Sequence, residues 1–334
     1  MIGGTVMTEK QNAMEIIKFG KPEKIVPHIP SYNVAYVGAN HQGYDEGMME
    51  WGHDRPVGSR WYDIWGTMWH KEYPDVMGFP EGNPLADTKD LAAYSWPDPD
   101  DERINSKIYK QIEACTSKDE VFIYGSHNNT IWEKSFMLVG MENMMAYFYT
   151  EPEYAREILG RIMDFQIGIA KHYEKAGIEI AGFGDDLGTQ RSLLLSPDII
   201  KEFLVPEYRR LFDFYKSRNV LVDFHTCGHF EPLLDIFIEL GVDILNPVQV
   251  SANDLQAVRE KTQGHIALRG GVRSDLILNG PVDEIRTAIK DAIHLLGKNG
   301  GFFCSPDQWM PFPEEHLNAF DTAVLEYGRY PLVS

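Results

Sequence analysis

Three cysteines in 334 residues are too few, and odd in number, for a disulfide framework, and they point to a reducing interior. Positive charge is also scarce. The formal net charge of −19 leaves no basic face for phosphates, so nucleic acid is not expected as a partner. No apolar run reaches the roughly 18–20 residues a membrane helix needs. The N-terminus shows no basic segment followed by an apolar core, so no signal peptide is expected and the chain reads as cytoplasmic. Met1 to Val6 read as start-site residues. Tandem repeats and low-complexity segments are absent. What is present is a hydrophobic fraction of 43%, ordinary for a soluble globular protein with a sizeable core.

From about residue 120 the pattern is regular. Strands are predicted at 121–124, 178–184, 220–225, 243–248, 265–269 and 301–304. Helices are predicted at 133–149, from the Thr150-Glu-Pro-Glu153 capping box to Ala176, from Ser196-Pro197 to about 217, and at 231–240, 253–262, 282–297 and 314–327. Gly177 closes the second of these. Met137, Met141, Met144 and Met145 read as core. Alternation of strand and helix implies a parallel sheet covered by helices. Two weaker strands, 33–37 and 62–65, bring the count to eight. The expected fold is a (β/α)8 TIM barrel forming one domain over 1–334, with an open doubly wound sheet as the alternative. Residues 1–110 read as its N-terminal elaboration: a helix near 8–19, then an irregular stretch punctuated by glycine and proline, including Gly47 and Gly52. This stretch holds Trp51, Trp61, Trp65, Trp69 and Trp96 of the chain's seven tryptophans. The tryptophans either pack onto the core or line a pocket for a flat apolar substrate.

The chemistry gathers at predicted strand ends. His225 and Cys227, two apart at the end of a strand, point to one side, and imidazole with thiolate suits zinc. Cys304 ends another strand and is the expected third ligand, so Cys304→Ala should lose metal and activity together. A fourth position is left for Asp185 or Asp186, a water or a substrate atom. Either acid could instead donate a proton or cap a helix. His127, Asn128, Gln249 and Arg273 stand at or just past strand ends, the functional face of such barrels, and with Trp65 are candidate substrate-binding residues. His229 reads as capping or packing, and Cys115 as inert.

His225-Thr-Cys227 with Cys304 resembles the zinc signature of the corrinoid methyltransferase branch of the uroporphyrinogen decarboxylase superfamily. Asp63-Ile-Trp-Gly66, Pro84-Leu85, Tyr94 to Pro99, Gly184-Asp-Asp followed by Ser196-Pro197, and Cys227-Gly228 ahead of a helix also match. The resemblance implies a barrel, Zn2+, and a corrinoid (cobalamin) carried by a partner protein. An Arg-rich substrate loop of the decarboxylases is missing, which disfavours porphyrinogen decarboxylation. Two roles compete within the branch: demethylating a methoxylated aromatic compound onto the corrinoid, which the Trp-rich region favours, or methylating a thiol such as coenzyme M. A rival reading takes Asp223-x-His225-x-x-Gly228 as a cobalamin-binding pattern, making the chain a carrier, but leaves Cys227 and Cys304 unexplained. A metal-free scaffold barrel is a third reading. Pairing of the outer helices into a homodimer fits the expected fold.

Overall fold

The structure, a computed structural model, describes residues 7–44, 55–74 and 76–332. Met1 to Val6, Gly47, Trp51 and Gly52 lie outside them. Thr8 caps the first helix, Glu9–Ile17, in a reciprocal capping box with Gln11. Strand β1 (Ser31–Val34) follows, then a small antiparallel sheet of β2 (Arg60–Tyr62), β3 (Met68–His70) and β4 (Phe79–Gly82). The six predicted strands appear as β5 (Phe122–His127), β6 (Ile180–Gly184), β7 (Leu221–His225), β8 (Ile244–Val248), β9 (Ala267–Val272) and β10 (Phe302–Pro306).

With β1 they form one parallel sheet of seven strands in the order β1-β5-β6-β7-β8-β9-β10. The sheet curls, with helices outside it, in the manner of a TIM barrel. The curl is legible in the alternation of side chains. Phe122, Ile180, Ile244, Ala267 and Phe303 meet one another inside, and Ile16, Ile17, Val26 and Ile29 pack onto them. Their neighbours Ile123, Ala181, Leu245, Leu268 and Phe302 belong to the other apolar cluster, shared with the helices.

The expected eighth strand is not part of this sheet. Tyr62 ends β2, and residues 63–67 form a turn around the Asp63 carboxylate, which accepts the Trp65 and Thr67 N–H groups, each at 2.9 Å. The barrel edges β1 and β10 therefore have no hydrogen-bonded partner on one side among the described residues. Beside this seam, Lys24 bridges Arg329. Ile25 N–H donates to the Gly328 carbonyl at 2.8 Å, and Tyr330 N–H to the Glu23 carbonyl at 3.0 Å.

Two helix expectations need correction. The 133–149 segment is two helices, Trp132–Val139 and Met141–Thr150, broken at Gly140, whose φ of +94° suits glycine. Thr150 and Glu153 form no capping box. Pro152 opens the next helix, Pro152–Ala176, from a Glu151 cap with no side-chain bond, while the Thr150 hydroxyl donates back to the Ala146 carbonyl. Gly177 closes that helix in the left-handed conformation, as expected.

Candidate metal centre

Strand β7 carries Leu221, Asp223 and His225 on one face, because alternate residues share a side. Leu221 packs against the inner cluster, so His225 faces inward at the rim. Its Nδ1 lies 3.0 Å from Asn246 Oδ1 on β8, and Asn246 Nδ2 donates to Asp223 Oδ1 at 2.6 Å. With its amide nitrogen committed to Asp223, Asn246 offers only oxygen to His225. The imidazole proton therefore resides on Nδ1 and Nε2 is left as a lone-pair donor.

Nε2 faces Cys227 Sγ at 3.4 Å and Asp186 Oδ1 at 3.8 Å. Ligand atoms of the three residues all lie within 4.8 Å of one another. Tetrahedral zinc, with N, O and S donors at about 2.0–2.3 Å, separates its ligands by about 3.3–3.8 Å. The His225–Cys227 and His225–Asp186 separations fall in this range, and the N, S and O donors suit zinc. Asp186 Oδ1 also accepts the Cys227 N–H at 2.9 Å, fixing the turn. Burial first, and the Asp186 charge second, push the Cys227 thiol up to about 12. Without a metal the sulfur is thus protonated at neutral pH.

Gly228 follows, with a φ of +81°. A Cβ there would sit 2.5 Å from the Thr189 carbonyl oxygen, so the crossing of the two loops requires glycine. Gln249 Oε1 accepts the Gly228 N–H and the Gln190 amide at 3.3 Å, bracing the loop from behind. His229 packs by its Nδ1 on the Ala252 carbonyl at 2.9 Å, as expected.

Cys304 does not join this set. On β10, Phe303 faces inward and Cys304 therefore outward, buried in the apolar layer between sheet and helices. Gln308 comes to Cys227 instead, its Nε2 3.0 Å from Sγ. The two acids separate by the same alternation. Asp186 turns to the rim, while Asp185 is buried and accepts the Ile131 N–H at 2.9 Å, the Glu133 N–H at 2.8 Å and the Tyr208 hydroxyl at 2.6 Å. It caps the Trp132–Val139 helix, whose own N-cap Ile131 has no side-chain acceptor. Burial raises its pKa to about 6 against these hydrogen bonds.

A cavity of about 470 Å³ opens beside the three donors, lined among others by Tyr124, Asn128, Phe183, Glu133 and Arg269. Of the expected substrate residues only Asn128 reaches it, held by the Asn40 side chain. His127 faces outward and is buried between Gln166 and Tyr215, at 2.7 and 2.5 Å. Arg273 pairs with Asp275, Nε to Oδ1 at 2.9 Å, on a separate groove lined by Val250, Leu276 and Leu295. Trp65 is buried edge-on against Phe165 at 4.6 Å and Trp96 at 6.5 Å. Trp61 and Trp69 stack at 6.4 Å, and Trp69 stacks on His41 at 3.8 Å. These tryptophans are packing, not cavity wall.

The family model described as uroporphyrinogen decarboxylase (URO-D) matches residues 72–327. The chain belongs to the URO-D family. A curated relative, the methylated-thiol–coenzyme M methyltransferase of Methanosarcina mazei, is 29% identical over 197 residues. That match takes in 57% of this chain and spans about half, 49%, of the relative's length. A solved structure described as a methyltransferase from Methanosarcina mazei superposes with a TM-score of 0.71 at 19% identity, covering 96% of this chain and 99% of that one. It shares the URO-D chain's fold, and the expected methyltransferase branch fits these relatives. No described helix is long and apolar enough to cross a membrane.

Sequence reasoning missed Glu133, Asn246, Arg269 and Gln308 in this URO-D site. Glu133 lines the cavity with its carboxyl on Asn129 Nδ2 at 2.9 Å, and burial with the nearby Asp185 and Asp186 charges raises its pKa well above the usual range. Helix start and rim meet only in the fold, so no local signal marks it. Arg269 did leave a signal, a lone charge directly after the apolar Ile266-Ala-Leu run.

Proposed function

We propose that this protein is a zinc-dependent methyltransferase that moves a methyl group between a partner protein's corrinoid and a small thiol of the coenzyme M kind. The observation that carries the reading is the His225, Cys227 and Asp186 donor set facing an open cavity. The printed activity of the Methanosarcina mazei relative supports it. His225, Cys227 and Asp186 would hold the zinc; Gln308, beside Cys227, could turn its amide oxygen toward the same point. When bound, zinc lowers the pKa of a coordinated thiol so that it is a thiolate at neutral pH.

The chain's own residues supply the rest. Asn246 keeps the His225 lone pair aimed at the site. Glu133 stands on the cavity wall, its pKa raised by burial and by the Asp185 and Asp186 charges, where its carboxyl is placed to donate a proton to a leaving thiolate.

Demethylation of a methoxylated aromatic compound is the second reading. Tyr124 on the cavity wall favours it. Within the Trp-rich region, Trp61, Trp65 and Trp69 lend it no support, because they are buried elsewhere. A corrinoid carrier would need neither Cys227 nor Asp186 beside the imidazole.

The test is reconstitution with zinc and a methylated or reduced corrinoid protein, following the corrinoid spectrum with coenzyme M and with methoxybenzenes in parallel. Methyl loss to the thiol is the expected result, with about one zinc per chain. Transfer only from methoxybenzenes would select the second reading. A red, cobalt-containing preparation, or no transfer with either class, would overturn the methyltransferase reading.

A further inference from the structure

A second cavity, of about 290 Å³, adjoins the first and shares His225, Asn246, Arg269 and Gln308 with it. Its remaining lining includes His28, Pro247, Ser305 and Trp309, so it lies along the seam between β10 and the segment that precedes β1. The two cavities meet at the metal-binding histidine.

Arg269 stands at that junction. It follows Ala267 on the inner face of β9, and its side chain is 28% exposed. Among the described residues its one hydrogen bond is Nη2 to Asp223 Oδ2, at a long 3.4 Å. Asp223 is already supplied by the Tyr124 hydroxyl at 3.0 Å and Asn246 Nδ2 at 2.6 Å. Most of the guanidinium donors are thus uncommitted in a cavity. The other acid on this wall, Asp307, is occupied: Oδ1 accepts the Ser274 N–H and hydroxyl at 2.9 and 2.8 Å, and Oδ2 the Val250 N–H at 3.4 Å. His28 is held neutral by partial burial and by the Arg269 charge. Among the described residues the compartment therefore offers one available cation, with hydrogen-bonding groups from His28 and Ser305, between Pro247 and Trp309. A fork of N–H donors in such a setting selects a carboxylate or sulfonate.

We propose that the seam cavity is a subsite for an acidic tail, in which Arg269 holds a carboxylate or sulfonate of a small substrate whose reacting atom lies at His225 and Cys227. The position of the reacting atom rests on the methyltransferase reading; the anion site rests on Arg269 alone.

Calorimetric titration of the zinc-loaded protein with two matched pairs tests this: 2-mercaptoethanesulfonate against 2-mercaptoethanol, and 4-methoxybenzoate against 4-methoxytoluene. In at least one pair the anion should bind at least about tenfold more tightly. Which pair shows it separates a sulfonate-bearing thiol from a carboxylate-bearing ether. Arg269→Gln should erase the preference and Arg269→Lys restore part of it, with zinc content unchanged. Ethanesulfonate or benzoate, the tail without the reacting group, should compete with the preferred anion in the native protein, which keeps the test open should Arg269→Gln not fold. Equal affinities within both pairs, survival of the preference in Arg269→Gln, or no competition by the bare tail would overturn the subsite. Anion preference without methyl transfer would leave the subsite standing and sink the methyltransferase reading. Transfer with no anion preference would do the reverse.

Discussion

Each face of the barrel wall carries a histidine and a cysteine near the ends of its strands. On the inner face, His225 and Cys227 stand 3.4 Å apart over a cavity, with Asp186 completing the set. On the outer face, His127 is locked between Gln166 and Tyr215, and Cys304 is sealed among apolar side chains. The residue types and their height in the barrel are alike, yet one pair can hold a metal and the other holds helices to the sheet. Residue type sets what a side chain can do; its odd or even place along the strand sets whether it gets the chance. Asp185 and Asp186 repeat the lesson in adjacent positions.

The largest expected effect sets the two cysteines apart. Cys227→Ala should reduce zinc from about one per chain to near none after dialysis and abolish methyl transfer, whereas Cys304→Ala should keep its full complement, the reverse of what the sequence suggests. Metal analysis of both variants would break the comparison if Cys304→Ala also emptied. Next come the two acids. Asp186→Asn should weaken zinc about 10–100-fold, read by competition with a chromophoric chelator. Asp185→Ala should leave zinc affinity unchanged. It strips acceptors from the Ile131 and Glu133 N–H groups and the Tyr208 hydroxyl, and should cost about 3 kcal/mol in urea unfolding.

His127 sharpens the contrast through pH. Burial holds its pKa down to about 4 against an ordinary 6.5. The unfolded chain therefore takes up the proton first as pH falls. The stability His127 contributes is fully present above about pH 6.5 and is lost toward pH 4, by about 3 kcal/mol in all. Unfolding curves across this range should show that slope, and His127→Gln should flatten it. The smallest effect is Cys304→Ser, where a hydroxyl replaces a thiol in the apolar layer and should cost about 1–2 kcal/mol with zinc retained. A larger loss accompanied by loss of zinc would reassign Cys304 to the site.

Much of the fold was readable because strands β5 to β10 are short apolar runs between turn signals, and their polar ends named the rim. The His225–Cys227 pair was readable for the same reason: Leu221, Asp223 and His225 alternate with Val222 and Phe224. Cys304 was not, because Phe302, Phe303 and Cys304 are all apolar. A strand buried on both faces leaves no alternation to count from. Tryptophan content likewise could not separate packing from lining, since both reward the same side chain. The Asp63 turn looked like a strand because Tyr62, Ile64 and Trp65 have strand-like composition, while the carboxylate's contacts with Trp65 and Thr67 decide the conformation.

The seam has a consequence for how the wall closes. Six junctions of the barrel wall are stitched by backbone ladders; the seventh rests on side chains and on the tie between residues 23–25 and 328–330. Those two segments lie about 300 residues apart along the polypeptide, so this closure carries a large loop entropy. The wall least held by backbone hydrogen bonds among the described residues is therefore the one alongside His28 and Trp309.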